Sequence, residues 1–208
     1  MSLSISIRRD IRRKLKALSY LPVLQYMHSV LATTRFNNTT WEENCLWRRR
    51  NDWKGCVYGT PTLVNDRVLP GSPMFILEMN NERNLVVGVG LVANRTATDS
   101  RHKIYTWGNY NRYVYKSDYR VDREEMTGRE ETIMKIFDII LFTGLGHLKR
   151  GHGITKVPKR VTEVKGIDLE EEVRKMFTTR FKHSPQAVTP DAQTTTFSSS
   201  SSAAMASS

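Results

Sequence analysis

The chain has 208 residues, which favours one domain with appendages over two full domains. Its 32 Lys and Arg outnumber its 21 Asp and Glu, and the formal net charge of +11 favours a polyanionic partner, either nucleic acid or an anionic membrane surface. The two cysteines, without a C-x-x-C motif or a Cys/His cluster at ligand spacing, argue against a disulfide scaffold and a zinc site, and no cofactor is predicted.

Targeting signals are not evident from the sequence. No apolar run approaches the roughly 18–20 residues that a membrane span requires, and residues 1–7 are too short and too polar for a secretory signal. We therefore expect an intracellular protein without a membrane span, located in the cytoplasm or nucleus or packaged in a virus particle.

Residues 1–35 are predicted to form a basic helical extension. Apolar residues recur at helical spacing in the segment 7–18, and basic residues fill most other positions. A second helix is predicted from Pro22 to Ala32, because proline suits the first turn of a helix. Ten basic and three acidic residues lie within the first 50, so the positive charge is concentrated here. A chain that begins near Thr34 is expected to fold without this extension.

Residues 36–182 are predicted to form an α+β domain. Three β-branched or aromatic segments bounded by Gly, Pro and Asn predict strands at 55–61, 73–79 and 84–93. The last two are nearly continuous apolar runs, which indicates central strands buried on both faces, with residues 80–84 as a hairpin loop. The segment 110–121 alternates and predicts a further strand.

Two helices are predicted near the end of this domain. Thr127 and Glu130 have the spacing of a capping box ahead of an apolar stripe, and Gly144 is a plausible stop. Asp168 and Glu171 repeat the pattern before a last helix that ends near residue 181. Residues 183–208 are rich in Ser, Thr and Ala, which predicts a disordered tail that could contact protein partners.

Basic residues near glycines and aromatic residues predict a nucleic-acid surface. The segment 144–160 combines four glycines with five Lys and Arg and no acid, a composition suited to phosphate contact, although a solvated loop is the alternative. Its two histidines could also donate to phosphate. The predicted nucleic-acid-binding residues are Arg48, Arg49, Arg50, Lys54, Arg112, His147, Lys149, Arg150 and Lys156.

Aromatic residues interleaved with these cations suit the stacking of unstacked bases, although many such rings could instead lie in the core. Tyr58 and Trp107 each lie in a Gly-flanked, polar-rich stretch, and with Tyr110 they are the predicted lining of a base pocket. At least one of Tyr58 and Trp107 is expected to stack on the ligand.

The order of features at residues 54–160 resembles the PUA-like superfamily, especially its YTH, EVE and ASCH domains. The segments on which this resemblance rests are KGCVYGT at 54–60, PMFILEMN at 73–80, VGVGLV at 87–92, the aromatic stretch at 107–121 and GHLKR at 146–150 followed by GIT at 153–155. The resemblance implies a small curved or barrel-like mixed sheet flanked by helices, with a pocket for one extruded or modified base. It places Tyr58 at the first cage tryptophan and adds Asn80 to the pocket.

The sequence thus predicts a protein that binds RNA or DNA. One alternative is a basic structural or minor component of a large assembly such as a virus particle. A second is an enzyme that acts on a nucleotide or nucleic acid, since ASCH-type pockets can host hydrolysis, and a Lys, Glu or Asp with a shifted pKa in the pocket would favour it. No nucleophile elbow, P-loop or H-E-x-x-H motif is present, so no catalytic residue is predicted.

Overall fold

A computed structural model of the chain describes residues 29–65, 67–97, 102–164 and 166–182. The predicted helix at 7–18, most of the second predicted helix and the tail at 183–208 lie outside the described residues. No helix in the described part of the chain is both long enough and apolar enough to cross a membrane.

Strands and helices alternate irregularly along the chain. The strands are β1 (Val30–Phe36), β2 (Cys56–Thr60), β3 (Pro73–Asn80), β4 (Leu85–Ala93), β5 (Tyr113–Ser117), β6 (Tyr119–Asp122), β7 (Thr155–Lys156), β8 (Glu163–Val164) and β9 (Ile167–Asp168). The α-helices are α1 (Asn38–Arg50), α2 (Arg129–Phe142), α3 (Lys159–Thr162) and α4 (Leu169–Lys182), with 3₁₀ turns at Gly108–Asn111 and Arg123–Glu125.

Five strands form a mixed sheet in the order β6-β4-β3-β1-β7. β1 runs parallel to β3, and the other neighbours are antiparallel. β2 and β5 form a separate antiparallel ribbon of two strands. The predicted α+β class is therefore confirmed, but the described strands do not close into a barrel.

The central strand β3 belongs to two hydrophobic cores. Phe75, Leu77 and Met79 pack with residues of α2 and α4, whereas Met74 and Ile76 pack with residues of the β2–β5 ribbon. This division follows from the strand geometry, because successive side chains point to opposite faces of a sheet. All eight residues of β3 are buried, as predicted for a strand covered on both faces. The layers are thus two helices, the sheet, and the ribbon with α1.

The start of the domain differs from the prediction. Val30, Leu31 and Ala32, expected at the end of a helix, lie in β1, and the predicted boundary at residue 35 falls inside the same strand. β1 contains two adjacent threonines and pairs with β3 along its whole length, so β-branched composition and tertiary pairing outweigh the helical spacing. The premise that the residues before Thr34 lie outside the sheet is therefore wrong, and a chain that begins near Thr34 would lack half of β1.

The remaining predicted elements are found, except that one predicted strand is two strands in different sheets and one predicted cap is absent. The three predicted strands correspond to β2, β3 and β4, the turn between β3 and β4 spans 81–84, and the segment 110–121 forms β5 and β6. Asp168 Oδ1 accepts from the N–H groups of Glu170 and Glu171 at the start of α4, as a cap should. The predicted capping box of Thr127 is wrong, since α2 begins after Gly128 without a side-chain cap.

A buried ion pair within the sheet is connected to the ribbon by Tyr58. Arg120 on β6 donates to Glu78 on β3, with 2.9 Å from Nε to Oε1 and 2.7 Å from Nη2 to Oε2. The Tyr58 hydroxyl on β2 donates to the same carboxylate over 2.8 Å, and Asp122 Oδ1 lies 2.5 Å from Arg120 Nη1. The side chains of Glu78 and Arg120 are each 1% exposed, so this cluster is part of the core.

Two glycines of β4 make room for this cluster. A Cβ atom at Gly90 would overlap the Tyr58 hydroxyl, and one at Gly88 would lie 2.5 Å from both Arg120 Nη2 and Glu78 Oε2. The Gly-Val-Gly segment within an otherwise bulky strand is therefore explained by close approach of side chains from three neighbouring strands.

Candidate functional site

A cleft of about 290 Å³ lies where β1 ends and α1 begins. It is lined by the loop that carries Trp107 and Tyr110, which forms an aromatic wall, by the glycine loop 151–153, and by Arg35. The described residues that line the cleft include one arginine and one histidine, but no lysine and no acid. The volume is near the lower end of the range for small-molecule sites, which suits one planar ring.

The aromatic wall is held in place by the side chain of Asn111. Its Oδ1 accepts from the N–H groups of Ile104 and Tyr105, both over 2.9 Å, and its Nδ2 donates to the Tyr105 carbonyl over 2.7 Å. The N–H of Thr106 donates to Glu43 Oε1 on α1 over 3.0 Å. These four bonds fix the loop backbone immediately before Trp107.

Trp107 is 74% exposed, which is unusual for the largest and one of the most apolar side chains. Its ring centroid lies 5.9 Å from that of Tyr110, with the planes inclined by 50°. Tyr110 in turn contacts Tyr105 edge-on at 6.2 Å, and Tyr105 is buried. The aromatic wall therefore runs from a buried tyrosine to an indole that is open to solvent.

Close backbone approach shapes the aromatic wall and the glycine loop. A Cβ atom at Gly59 would overlap the Tyr110 carbonyl and meet the Tyr105 ring at 2.9 Å, so glycine lets the aromatic loop lie directly on β2. In the glycine loop, Gly151 and Gly153 have φ of +130° and +65°, conformations that other residues rarely adopt. The two glycines thus allow a tight turn around His152 at the edge of the cleft.

Arg35 lies half-buried beneath this glycine turn. Its Nε donates to the Leu148 carbonyl over 2.7 Å, and its Nη1 donates to Thr155 Oγ1 over 2.8 Å. A Cβ atom at Gly151 would be 3.2 Å from the guanidinium carbon, so backbone and guanidinium are in close contact. Burial lowers the pKa of Arg35, yet its described hydrogen-bond partners are neutral.

A shallow groove lies at the other end of α1. Arg48, Arg49, Trp53 and Lys54 line it together with Cys45 and Asp52. Arg48 is used internally: its Nε donates to Asn44 Oδ1 and its guanidinium stacks 5.6 Å from the Trp41 ring. Arg49, Arg50 and Lys54 are exposed, and in the described part of the chain none of them forms an ion pair.

The predicted base pocket is only partly assembled. Trp107 and Tyr110 line the cleft, whereas Tyr58 and Asn80 do not. Tyr58 is 1% exposed and donates to Glu78, so its predicted place in a pocket is wrong. Asn80 is fully buried and its Oδ1 accepts from the N–H groups of Glu82 and Arg83, so it shapes the β3–β4 turn. Both are polar residues of core strands, which composition alone did not distinguish from pocket residues.

The other predicted cations are spread over the surface. Lys149 Nζ donates to Asn84 Oδ1 over 2.8 Å, and His147 Nδ1 accepts from the Lys149 N–H. Arg150 and Lys156 are exposed, the former next to Gly151 of the cleft wall. Arg112 is exposed and its guanidinium lies 5.3 Å from the Tyr113 ring.

The sequence interpretation missed Arg35. It was assigned to the end of the helical extension, so it was not considered with the cleft. Two adjacent threonines before it, in a segment that starts with Val-Leu, are the strand signal that would have placed it at the end of β1.

Among the described residues no group of three or more His, Cys, Asp or Glu side chains is arranged to hold a metal ion. No protein-family model, curated protein or solved structure matches the chain.

Proposed function

We propose that the protein binds single-stranded nucleic acid and receives one base in the cleft, against the face of Trp107. The observation that carries the proposal is an indole 74% exposed on a fixed loop, at a cleft whose described lining contains an arginine and no acid. Stacking of a base on an aromatic side chain contributes about 1–3 kcal/mol per base to binding. The unstacked bases of single strands can form this contact.

The charge distribution supports a polyanion as the ligand. The exposed cations Arg49, Arg50 and Lys54 gather at the end of α1, and Arg150 adjoins the cleft. Phosphate contacts position a strand without reading its sequence, and this is the role we assign to these four residues. Arg48 is excluded from it, because its guanidinium is engaged with Asn44 and Trp41.

A distant PUA-like arrangement is the fold that we propose within the α+β class. It is supported by the order of features along the chain: a first strand with Tyr58, a β3–β4 hairpin with glycines in its second strand, and an aromatic loop before β5. The burial of Tyr58 removes the predicted counterpart of a cage tryptophan. We therefore propose an extruded base, not a methylated one, as the occupant.

Replacement of Trp107 by alanine tests the proposal. Affinity for a short single-stranded oligonucleotide, measured by fluorescence anisotropy, is expected to fall by about 1–3 kcal/mol while the melting temperature stays unchanged. Leu69→Ala is the matched control, because Leu69 is 72% exposed and lies outside the cleft lining. Unchanged affinity in W107A would refute the base site, and no binding by the wild-type chain would favour a structural role in an assembly.

The phosphate contacts have a separate readout. Changing Arg49 and Arg50 together to alanine is expected to weaken binding to unrelated sequences alike. The slope of log affinity against log salt should become shallower by about 0.7 for each single-strand phosphate contact that is lost. An unchanged slope would place the phosphate contacts on another surface.

A further inference from the structure

Two half-buried arginines of the described residues, Arg35 and Arg48, have no carboxylate partner; Arg48 lies over the Trp41 ring, and of the two only Arg35 lines the cleft. Arg120, Arg123, Arg174 and Arg180 each form an ion pair with at least one carboxylate. Arg35 donates instead to a carbonyl and a hydroxyl, and no described carboxylate pairs with it. A cation that gives up water without gaining an anion is costly, so such an arrangement points to an anionic partner.

The surroundings of Arg35 suit an oxyanion. The guanidinium has five N–H donors, of which the described bonds use one on Nε and one on Nη1. The backbone at Gly151 lies against the guanidinium carbon, and a glycine-rich turn allows an anion to approach closely. The absence of acids from the described lining means that no side chain of the cleft repels a phosphate.

We infer that Arg35 binds a phosphate of the nucleotide whose base stacks on Trp107, so that the cleft accepts a nucleotide and not a bare base. This inference rests on the proposed function and adds a phosphate group to the base as the second part of the ligand. The base occupies the wall formed by Trp107 and Tyr110, and the phosphate reaches the guanidinium beside the turn at 151–153. Arg35 then selects for a phosphorylated ligand, whereas Trp107 contributes affinity for any base.

The test compares a nucleoside with its 5′- and 3′-monophosphates as ligands of the full chain, by isothermal titration calorimetry. The wild-type protein is expected to bind at least one monophosphate about 10–150-fold more tightly than the nucleoside, the range for hydrogen bonds to a charged group. Arg35→Gln should abolish this preference and leave nucleoside affinity unchanged. Arg35→Lys should retain part of it, because lysine keeps the charge but not the planar fork.

Controls separate the possible outcomes. Arg67→Gln removes the same charge from an exposed position between β2 and β3, and should keep the full preference. Inorganic phosphate should compete with the monophosphate but not with the nucleoside. If wild-type protein binds nucleoside and monophosphate equally, or if R35Q weakens both alike, the role of Arg35 is overturned while the base site stands. If neither ligand binds and W107A has no effect on oligonucleotides, the proposed function itself fails.

Discussion

The cluster around Arg120 and the cleft around Arg35 place the same side chain in two different surroundings. Arg120 lies on β6 of the sheet, where it pairs with Glu78 and Asp122, and Tyr58 of the ribbon donates to the same Glu78 carboxylate. Arg35 lies near the end of β1, separated from β6 in the sheet by β4 and β3, where it lines the cleft and bonds to neutral oxygens. A buried charge with its partner in the same chain holds the fold together. A half-buried charge without one is available to a ligand.

Removal of Arg120 should have the largest effect on stability. Arg120→Met leaves the Glu78 carboxylate buried with the Tyr58 hydroxyl as its remaining donor, which is expected to cost about 3–5 kcal/mol of unfolding free energy. Arg35→Met removes two bonds to neutral acceptors and should cost about 1–3 kcal/mol. Urea denaturation of both variants measures the difference. Equal costs would mean that the two arginines have the same structural role.

Tyr58 and Trp107 provide the same comparison between a buried side chain of the core and an exposed side chain of the cleft. Tyr58→Ala truncates a fully buried ring and is expected to cost about 3–5 kcal/mol of stability. Trp107→Ala removes an exposed ring, so its effect on stability should stay within about 0.5 kcal/mol. Thermal unfolding followed by circular dichroism distinguishes them. A large loss of stability in W107A would show that the indole supports the loop and is not held ready for a ligand.

A glycine pair tests the packing of the buried cluster. Gly90→Ala introduces a methyl group that overlaps the Tyr58 hydroxyl and should destabilise the fold by about 1–3 kcal/mol through overpacking. Gly146→Ala is the matched control, since nothing lies within 4 Å of its Cβ position. A neutral G90A variant in the same denaturation experiment would contradict the tight packing between β4 and the ribbon.

The buried cluster also predicts a dependence on alkaline pH. Burial, with Glu78 as a further cause, raises the pKa of Cys56 to about 12, well above the value of about 8.5 for a free thiol. Between these two values the folded state holds a proton that the unfolded state releases, so stability must fall as pH rises. The Cys56→Ala variant should lose stability less steeply, by up to about 1.4 kcal/mol per pH unit. An identical slope in both proteins would show that the thiol does not contribute.

Local sequence signals predicted the middle of the domain well because they coincide there with tertiary demands. Segments 73–79 and 84–93 are apolar, β-branched and joined by an Asn-rich turn, and the buried hairpin β3–β4 requires all three properties. At residues 30–36 the same signals conflict with helical spacing inherited from the preceding segment. The strand is stabilised by pairing with β3, more than 40 residues away, and periodicity cannot report such pairing.

The candidate site was harder to predict than the fold, for a related reason. Tyr58 and Trp107 both sit among glycines and polar residues, and both appeared suited to a pocket. Tyr58 is buried, and its hydroxyl donates to Glu78 of β3, which is paired in turn with Arg120 of β6. The polar neighbours of Trp107 lie in its own loop and leave the indole open. Both windows contain glycines and polar residues, and it is the long-range partners that distinguish the buried ring from the exposed one.

The three hydrogen bonds of the Asn111 side chain have a kinetic consequence. They close the loop 104–111 on itself, so the wall that carries Trp107 is held in one geometry without a ligand, and under the proposed function this geometry receives the base. Because the wall is already ordered, little of the binding free energy is lost to ordering the loop. Association should therefore be limited by diffusion and orientation, and differences in affinity between ligands should be found in their dissociation rates. Under the proposed function, Asn111→Ala would convert this rigid wall into one that must be ordered at each encounter and would slow association, although Asn111 is not among the residues that line the cleft.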